Sequence, residues 1–308
     1  MIIPKPLLPG DTVSLIGISG AIRSDDLEAT VRACAGRLEG LGFRVKIDPS
    51  VYGRYGYLSG TDEERAAAVN RAFADDTVDG IWCIRGGYGC IRMMDLIDWD
   101  MIRKHPKAFI GFSDITTVHT ALHERCGLCT FHGPMPNTSY FEGPMLDSLL
   151  HAVGGHPDAE LINLDGTPLQ ALHSGVAEGQ LVGGNLTLIA AGTGTHYDLD
   201  VRGKLLFLED VGERTYVLDR YLHQLYLSGK LTECAGVILG GFTDCRIEYP
   251  DYGLSVEEVL RDVFRHVDVP VLCGLQAGHM QEKLTLALGR RYRMDADACR
   301  ITFAEAND

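Results

Sequence analysis

The order of apolar runs in the first half of the chain constrains the fold more than any other feature. Thr12 to Ile18 (TVSLIGI) is a β-branched, apolar run ending in the turn signal Ser19-Gly20. A helical pattern then opens at Ser24. Leu27, Val31, Cys34, Leu38 and Leu41 recur at steps of four and three, and Gly42 stops the pattern. Phe43 to Ile47 reads as a strand. Thr61 and Glu64 form a capping box that starts a helix running to about Phe73. Asp79 to Arg85 (DGIWCIR) is a buried strand that runs into Arg85-Gly86-Gly87-Tyr88-Gly89. After another helix, strand Ala108 to Gly111 leads straight to Ser113, and a helix covers Ile115 to Glu124. Strands separated by helices imply βαβ units and a mostly parallel sheet, so the fold class is α/β.

Periodicity fades between His151 and Gly175, where Gly, Pro and Asp accumulate. The reading is an N-terminal lobe over 1–150, a linker over 151–175 and a C-terminal mixed α/β lobe over 176–308. In that second lobe Glu178 to Val182, Lys204 to Leu208, Gly236 to Gly240 and Val269 to Cys273 read as strands. Thr215 to Leu227 and Val256 to His266 read as helices, the second capped by Ser255 with Glu258. Leu284 to Leu288 and Arg300 to Phe303 are short strand-like pieces.

Composition narrows the function classes. The formal net charge is −14, which repels nucleic acid and anionic membrane, so neither is expected as a partner. No apolar run approaches the ~20 residues that cross a bilayer. Met1 to Asp11 has no apolar stretch or cleavage site of a secretory leader, which points to the cytoplasm. The nine cysteines are odd in number, scattered and partly inside apolar runs. That pattern suits reduced core thiols better than a disulfide framework. His123, Cys126, Cys129 and His132 offer the ligand types for tetrahedral zinc. Their spacing is more compact than the usual paired knuckles, and the expectation is no metal.

Three segments can carry chemistry. In Gly111-Phe112-Ser113-Asp114-Ile115 a strand meets a serine and a helix follows at once. The hydroxyl then sits on a sharp turn near a helix N-terminus, the logic of a nucleophile elbow without the G-x-S-x-G spelling. A helix cap is the plainer reading of the same serine. The glycines of Arg85 to Gly89 suit a phosphate cradle, half of an oxyanion hole, or a simple turn. Neither G-x-x-x-x-G-K-[ST] nor G-x-G-x-x-G is present. An activated serine needs a base, and the base an orienting carboxylate. Glu209 ends the apolar strand Leu206 to Leu208, whereas Asp210 and Glu213 look more solvated. The candidate bases are His132, His223 and His279, the last in a loop just after a strand.

Taken in order, these segments resemble the murein LD-carboxypeptidase family, which includes the microcin-immunity peptidases. The matching stretches are Leu8 to Asp11, Trp82 to Gly89, Gly111 to Asp114, Phe131 to Met135, Gly179 to Leu186, Leu206 to Glu213 and Gly278-His279. The resemblance implies a Ser-Glu-His triad: Ser113 as nucleophile, His279 as general base and Glu209 as orienting acid. It implies an oxyanion hole from the backbone N–H of Gly87 and Asp114, with no cofactor. It further implies a Rossmann-like N-terminal lobe, an active site between the lobes, and a homodimer. The implied reaction releases terminal D-Ala from a murein tetrapeptide by cleaving an L,D amide. Arg85 is a candidate for binding the free carboxylate or for anchoring its own turn, and Tyr88 for lining the pocket.

Some positions depart from the family pattern. After Gly278-His279 the chain has Met280, Glu282 or Lys283, and Ala287 where a glycine, an asparagine and a proline are usual. Ile18-Ser19-Gly20 replaces Pro-Ser-Gly. These leave the triad intact and alter one wall of the pocket. Two rival readings are a microcin-immunity-type peptidase cleaving peptidyl-nucleotide amides and a non-catalytic binder of cell-wall peptides. The first needs an aromatic clamp for a base, yet the two tryptophans are Trp82, in a core strand, and Trp99. The second has no use for a complete Ser, Glu and His set.

Overall fold

The computed structural model describes residues 1–304. They divide into two compact units: residues 1–157 with 285–287, and residues 158–284 with the stretch from Leu288 onward.

In the first unit, β1 (Thr12–Ile16), β2 (Arg44–Ile47), β3 (Gly80–Cys83), β4 (Ala108–Gly111) and β5 (Thr130–His132) build a sheet in the order β2-β1-β3-β4-β5, all paired in parallel. A sixth strand, Leu286–Leu288, joins at the β5 edge. Strands β3 and β4 are buried along their whole length and β1 in all but its first residue, whereas the edge strand β2 is not, as apolar runs flanked by helices require. Helices α1 (Leu27–Gly40) and α5 (Pro144–Val153) cover one face, packing Val31, Leu38 and Leu149 with Val13, Leu15, Trp82 and Ile110. The opposite face meets α2 (Asp62–Ala74), whose Phe73 stacks on Phe109 at 6.0 Å, and α4 (Thr116–Cys126), whose His119 sets its ring edge-on to Phe109. Between them comes the short α3 (Trp99–Lys104). This strand order reverses direction at β1, and sites of such sheets lie off the carboxyl ends of the strands there.

The capping box at α2 forms in both directions: Thr61 N–H donates to Glu64 Oε2 at 2.8 Å and Glu64 N–H to Thr61 Oγ1 at 3.3 Å. The first helix starts later than Ser24, because Asp26 is its N-cap, accepting from Ala29 N–H at 2.9 Å. Ser24 instead bonds back to Asp26 and Thr30. The helix expected from Ile115 begins as a 3₁₀ turn, Ser113–Ile115, and becomes α-helical at Thr116.

The second unit contains β6 (Gln170–His173), β7 (Val176–Asn185), β8 (Leu205–Val211), β9 (Gly236–Thr243) and β10 (Val271–Cys273). Counting Leu286–Leu288 as β11, it ends with β12 (Arg291–Asp295) and β13 (Arg300–Phe303). The order is β13-β12-β7-β8-β9-β10-β6. Strands β7 to β10 are parallel, and antiparallel strands flank them. One face is covered by α6 (Leu186–Gly192), α7 (Thr215–Leu227) and α9 (Val256–Phe264), through Ile189, Leu218, Leu222, Val259 and Val263 against Leu206, Leu208, Val237 and Leu239. The short α8 (Lys230–Glu233) precedes β9. The stretch 151–175, read as a linker, holds the end of α5 and the strand β6, and its Asn163 is buried. Four half-exposed strand residues among Gly, Pro and Asp leave no periodic trace in the sequence.

Candidate functional site

Each unit gathers some of the candidate residues. In the first, β4 delivers Ser113 at φ +68°, a left-handed conformation that a non-glycine residue adopts only under the control of its surroundings. The cause is the turn itself: the chain must pass from strand to helix within Phe112–Asp114. The glycine turn after β3 lies directly against it. A Cβ on Gly86 would stand 2.8 Å from Ser113 Cβ and 3.1 Å from its Oγ, so only glycine lets that backbone pass. Gly87, at φ +136°, is tied to the turn after β1, where a Cβ would come 2.9 Å from the Gly20 backbone.

The side chain of Asp114 is buried and points inward. Its Oδ2 accepts the Ser19 hydroxyl at 2.6 Å and the Cys90 N–H at 3.0 Å, joining the turns after β1, β3 and β4. Arg85 is half-buried and spans the same turns. Its Nη1 donates to the Ala21 carbonyl at 2.8 Å and its Nε to the Gly86 carbonyl at 3.1 Å. Burial and the neighbouring Arg23 pull its guanidinium below the ordinary arginine value, while it remains a cation. Tyr88 is exposed and sets its ring edge-on to Tyr57 at 5.6 Å.

His119 supports this half from beneath. It is fully buried, and burial pushes its pKa down to about 4, so it is neutral. Its Nε2 faces the Gly111 carbonyl at 2.9 Å and its Nδ1 the Thr130 hydroxyl at 2.9 Å. A carbonyl only accepts, so the proton sits on Nε2. Of the residues considered for zinc, His123 and Cys126 lie on α4, Cys129 is buried before β5 and His132 is buried on β5. Among the described residues no three His, Cys, Asp or Glu side chains come together as a metal-holding group.

In the second unit the structure brings Glu209 and His279 together across 70 positions of sequence. Glu209 is fully buried on β8. Its Oε2 accepts His279 Nδ1–H at 2.7 Å and the His279 backbone N–H at 3.1 Å. The backbone bond aligns the loop, and because a carboxylate oxygen only accepts, the side-chain bond places a proton on Nδ1. Gly278, at φ +99°, makes this possible, because a Cβ there would lie 2.5 Å from Glu209 Oε2. The loop is seated by an irregularity in β9. Leu208 pairs with Leu239 and Asp210 with Phe242, so β9 spends one extra residue opposite Glu209. Gly240 and Gly241 fill that bulge. Gly241 N–H donates to the Ala277 carbonyl at 3.1 Å and Leu275 N–H to the Leu239 carbonyl at 3.2 Å. Asn163 holds the start of the loop, accepting from Gln276 N–H at 2.7 Å and donating to the Gly274 carbonyl at 2.8 Å.

The other carboxylates of this segment are placed differently. Asp210 looked solvated in the sequence but is buried. It accepts from Asn185 Nδ2 and Val211 N–H through Oδ1 and from the Thr187 N–H and hydroxyl through Oδ2. Burial raises its pKa. Burial and the nearby Asp210 also raise that of Glu213. His223 is on α7, paired with Asp219. Lys283, one of the positions that depart from the family pattern, is buried, and burial lowers its pKa to about 8 against the opposing pull of Glu209.

A serine held on a strained strand-to-helix turn and a histidine backed by a buried carboxylate are parts that α/β hydrolases use. Residues 13–133 match the LD-carboxypeptidase N-terminal domain and residues 178–294 the LD-carboxypeptidase C-terminal domain. The chain belongs to the LD-carboxypeptidase family, a family of peptidases. A probable murein peptide carboxypeptidase of Bacillus subtilis is 39% identical over 299 residues, covering 95% of this chain and 91% of that protein. A murein tetrapeptide carboxypeptidase of Pseudomonas aeruginosa is 34% identical over 303 residues, covering 94% of each. Among solved structures, a muramoyltetrapeptide carboxypeptidase from Oxalobacter formigenes gives a TM-score of 0.80 at 27% identity over 94% of this chain and 97% of that one. MccF, solved with glutamyl sulfamoyl guanosine, gives 0.88 at 24% identity over 99% of both chains, a likeness of fold. No helix among the described residues is long and apolar enough to cross a membrane.

Proposed function

We propose that this protein is a serine LD-carboxypeptidase that removes terminal D-Ala from murein tetrapeptide, with Ser113 as nucleophile, His279 as general base and Glu209 as its orienting acid. The observation that carries the reading is Ser113 at φ +68° with Gly86 packed against it, a strained placement that a mere helix cap does not require. In this mechanism His279 Nε2 takes the hydroxyl proton as Oγ attacks the carbonyl carbon. The oxyanion that forms is held by the N–H groups of Gly87 and Asp114, each such donor worth on the order of 10²–10³ in rate. The imidazolium, steadied by Glu209, gives its proton to the leaving amine as the C–N bond breaks. Water, deprotonated by the same imidazole, then resolves the acyl-enzyme and regenerates Ser113.

Arg85, with Arg23 close enough to affect it, supplies positive potential suited to the free carboxylate of the substrate, and Tyr88 a wall beside it. The same reading has the protein work in the cytoplasm, which all nine cysteines as free thiols support, and as a homodimer. Light scattering at micromolar concentration tests the last point. The catalytic assignment is tested by labelling with a fluorophosphonate. Wild type should carry one adduct on Ser113, His279→Ala should label far more slowly, and Ser113→Ala not at all. Undiminished labelling of Ser113→Ala would overturn the assignment.

A further inference from the structure

Arg65 is a charged residue on α2 with none of its surface exposed. Its Nη2 pairs with Asp62 at 2.5 Å, and its Nη1 donates to two backbone carbonyls, Ile18 at 2.9 Å and Gly89 at 2.8 Å. Those carbonyls belong to the turn after β1 and to the glycine turn after β3. A buried guanidinium is costly compared with an apolar side chain of the same volume. Val69 and Phe73 already bury the apolar face of α2. What the charge adds is a fixed distance between the two turns.

Other bonds converge on the same pair of turns. Gly20 N–H donates to the Gly86 carbonyl at 3.3 Å, Arg85 reaches Ala21, and Asp114 links Ser19 to Cys90 N–H. The Cys90 thiol also reaches the Ile18 carbonyl, at 3.5 Å. Gly86 and Gly87 lie between these clamps and are free of Cβ. The conformation of their backbone is therefore set by the clamps, with Gly89 (φ +112°) closing the turn under Arg65.

We propose that Arg65 is a positioning residue for catalysis: by holding the Ile18 and Gly89 carbonyls it sets the glycine turn so that the Gly87 N–H meets the oxyanion formed at Ser113. The proposal rests on the catalytic reading above. It separates Arg65 from a purely structural residue because its effect falls on the transition state. The experiment compares wild type, Arg65→Met, Arg65→Lys and Ser113→Ala. It measures kcat and KM on murein tetrapeptide, the inhibition constant of a peptidyl boronic acid that forms an anionic tetrahedral adduct, and the Kd of the murein tripeptide product. Melting curves establish that each variant is folded.

In Arg65→Met, kcat and boronic-acid affinity should fall together by roughly 10- to 100-fold, while KM and tripeptide affinity stay within about 2-fold, as expected for loss of an oxyanion donor's alignment. Lysine is one bond shorter and still cationic, and should restore part of both. A folded Arg65→Met enzyme with wild-type kcat and boronic-acid affinity overturns the proposal, as does an equal loss of all four quantities. If Arg65→Met does not fold, Asp62→Asn, which removes the partner aiming the guanidinium, should lower kcat and boronic-acid affinity in parallel by a smaller factor; no change overturns the proposal. Turnover by Ser113→Ala would instead sink the catalytic reading on which it rests.

Discussion

Replacing Glu209 by Gln separates the two jobs that the proposed mechanism gives this carboxylate. In the structure one oxygen, Oε2, accepts both the Nδ1–H and the backbone N–H of His279, at 2.7 and 3.1 Å. In Glu209→Gln the amide oxygen takes that place, because an NH₂ group there would face two donors. The imidazole therefore keeps its proton on Nδ1, and the basic Nε2 survives. What disappears is the negative charge that steadies the imidazolium. Two unit charges ~4 Å apart attract by about 4 kcal/mol at an effective dielectric of ~20. The amide dipole retains a part, leaving a loss of roughly 3 kcal/mol, or about 10²-fold in kcat. Glu209→Ala also frees the ring and the loop, and should lose roughly another 10-fold or more. The assay is steady-state release of alanine from the tetrapeptide, with melting curves to confirm folding. A Gln variant as inactive as the Ala variant would refute the argument that the backbone N–H controls the amide. A Gln variant at the wild-type rate would refute the role of the charge.

Other consequences follow from the same geometry. Gly278→Ala puts a methyl 2.5 Å from Glu209 Oε2 at φ +99°, so kcat should fall by about 10²-fold or more with a stability loss of roughly 1–3 kcal/mol, checked by kinetics and thermal melts. Asp210→Asn replaces one of two oxygens that each accept two donors. It should destabilise the fold by about 1–3 kcal/mol while folded enzyme keeps most of its kcat, checked by urea unfolding beside turnover. His119 titrates at about 4 in the folded protein against an ordinary 6.5. As pH falls through 6.5 the unfolded chain takes the proton first. Its share of stability, roughly 3 kcal/mol, is thus present above pH 6.5 and lost by about pH 4. His119→Gln should flatten that part of the stability–pH curve; an unchanged slope would contradict the neutral assignment.

Much of this was legible in the sequence wherever local chemistry decides structure. Ala108–Gly111 and Thr215–Leu227 have the bounds their residue patterns imply, and both capping boxes form. Ser113 stands on the turn that strand-then-helix spacing requires. Short strands escaped, because three residues at β5 and four at β6 are too few to show a period. Arg291 to Asp295 alternates exposed and buried residues, a strand pattern that a segment of five residues shows only weakly. Longer-range features had no local signal. Asp210 follows Glu209 directly and carries the same functional group, and the Asn185 and Thr187 donors, brought from β7 and α6, help make it a buried structural residue. Arg65 has the sequence context of a solvated helix face, yet its partners are carbonyls 47 and 24 positions away. The bulge at Gly240–Gly241 that seats the His279 loop depends on a pairing register that spacing alone does not reveal.

In the proposed reaction the hydroxyl of Ser113 attacks the peptide bond that precedes a terminal D-alanine. Mass spectrometry of murein tetrapeptide incubated with wild type and with folded Ser113→Ala tests it most directly. Wild type should convert the tetrapeptide stoichiometrically to tripeptide plus free alanine, and the variant should convert none. Tripeptide formation by Ser113→Ala at a comparable rate, or an untouched tetrapeptide with the wild type, would contradict it.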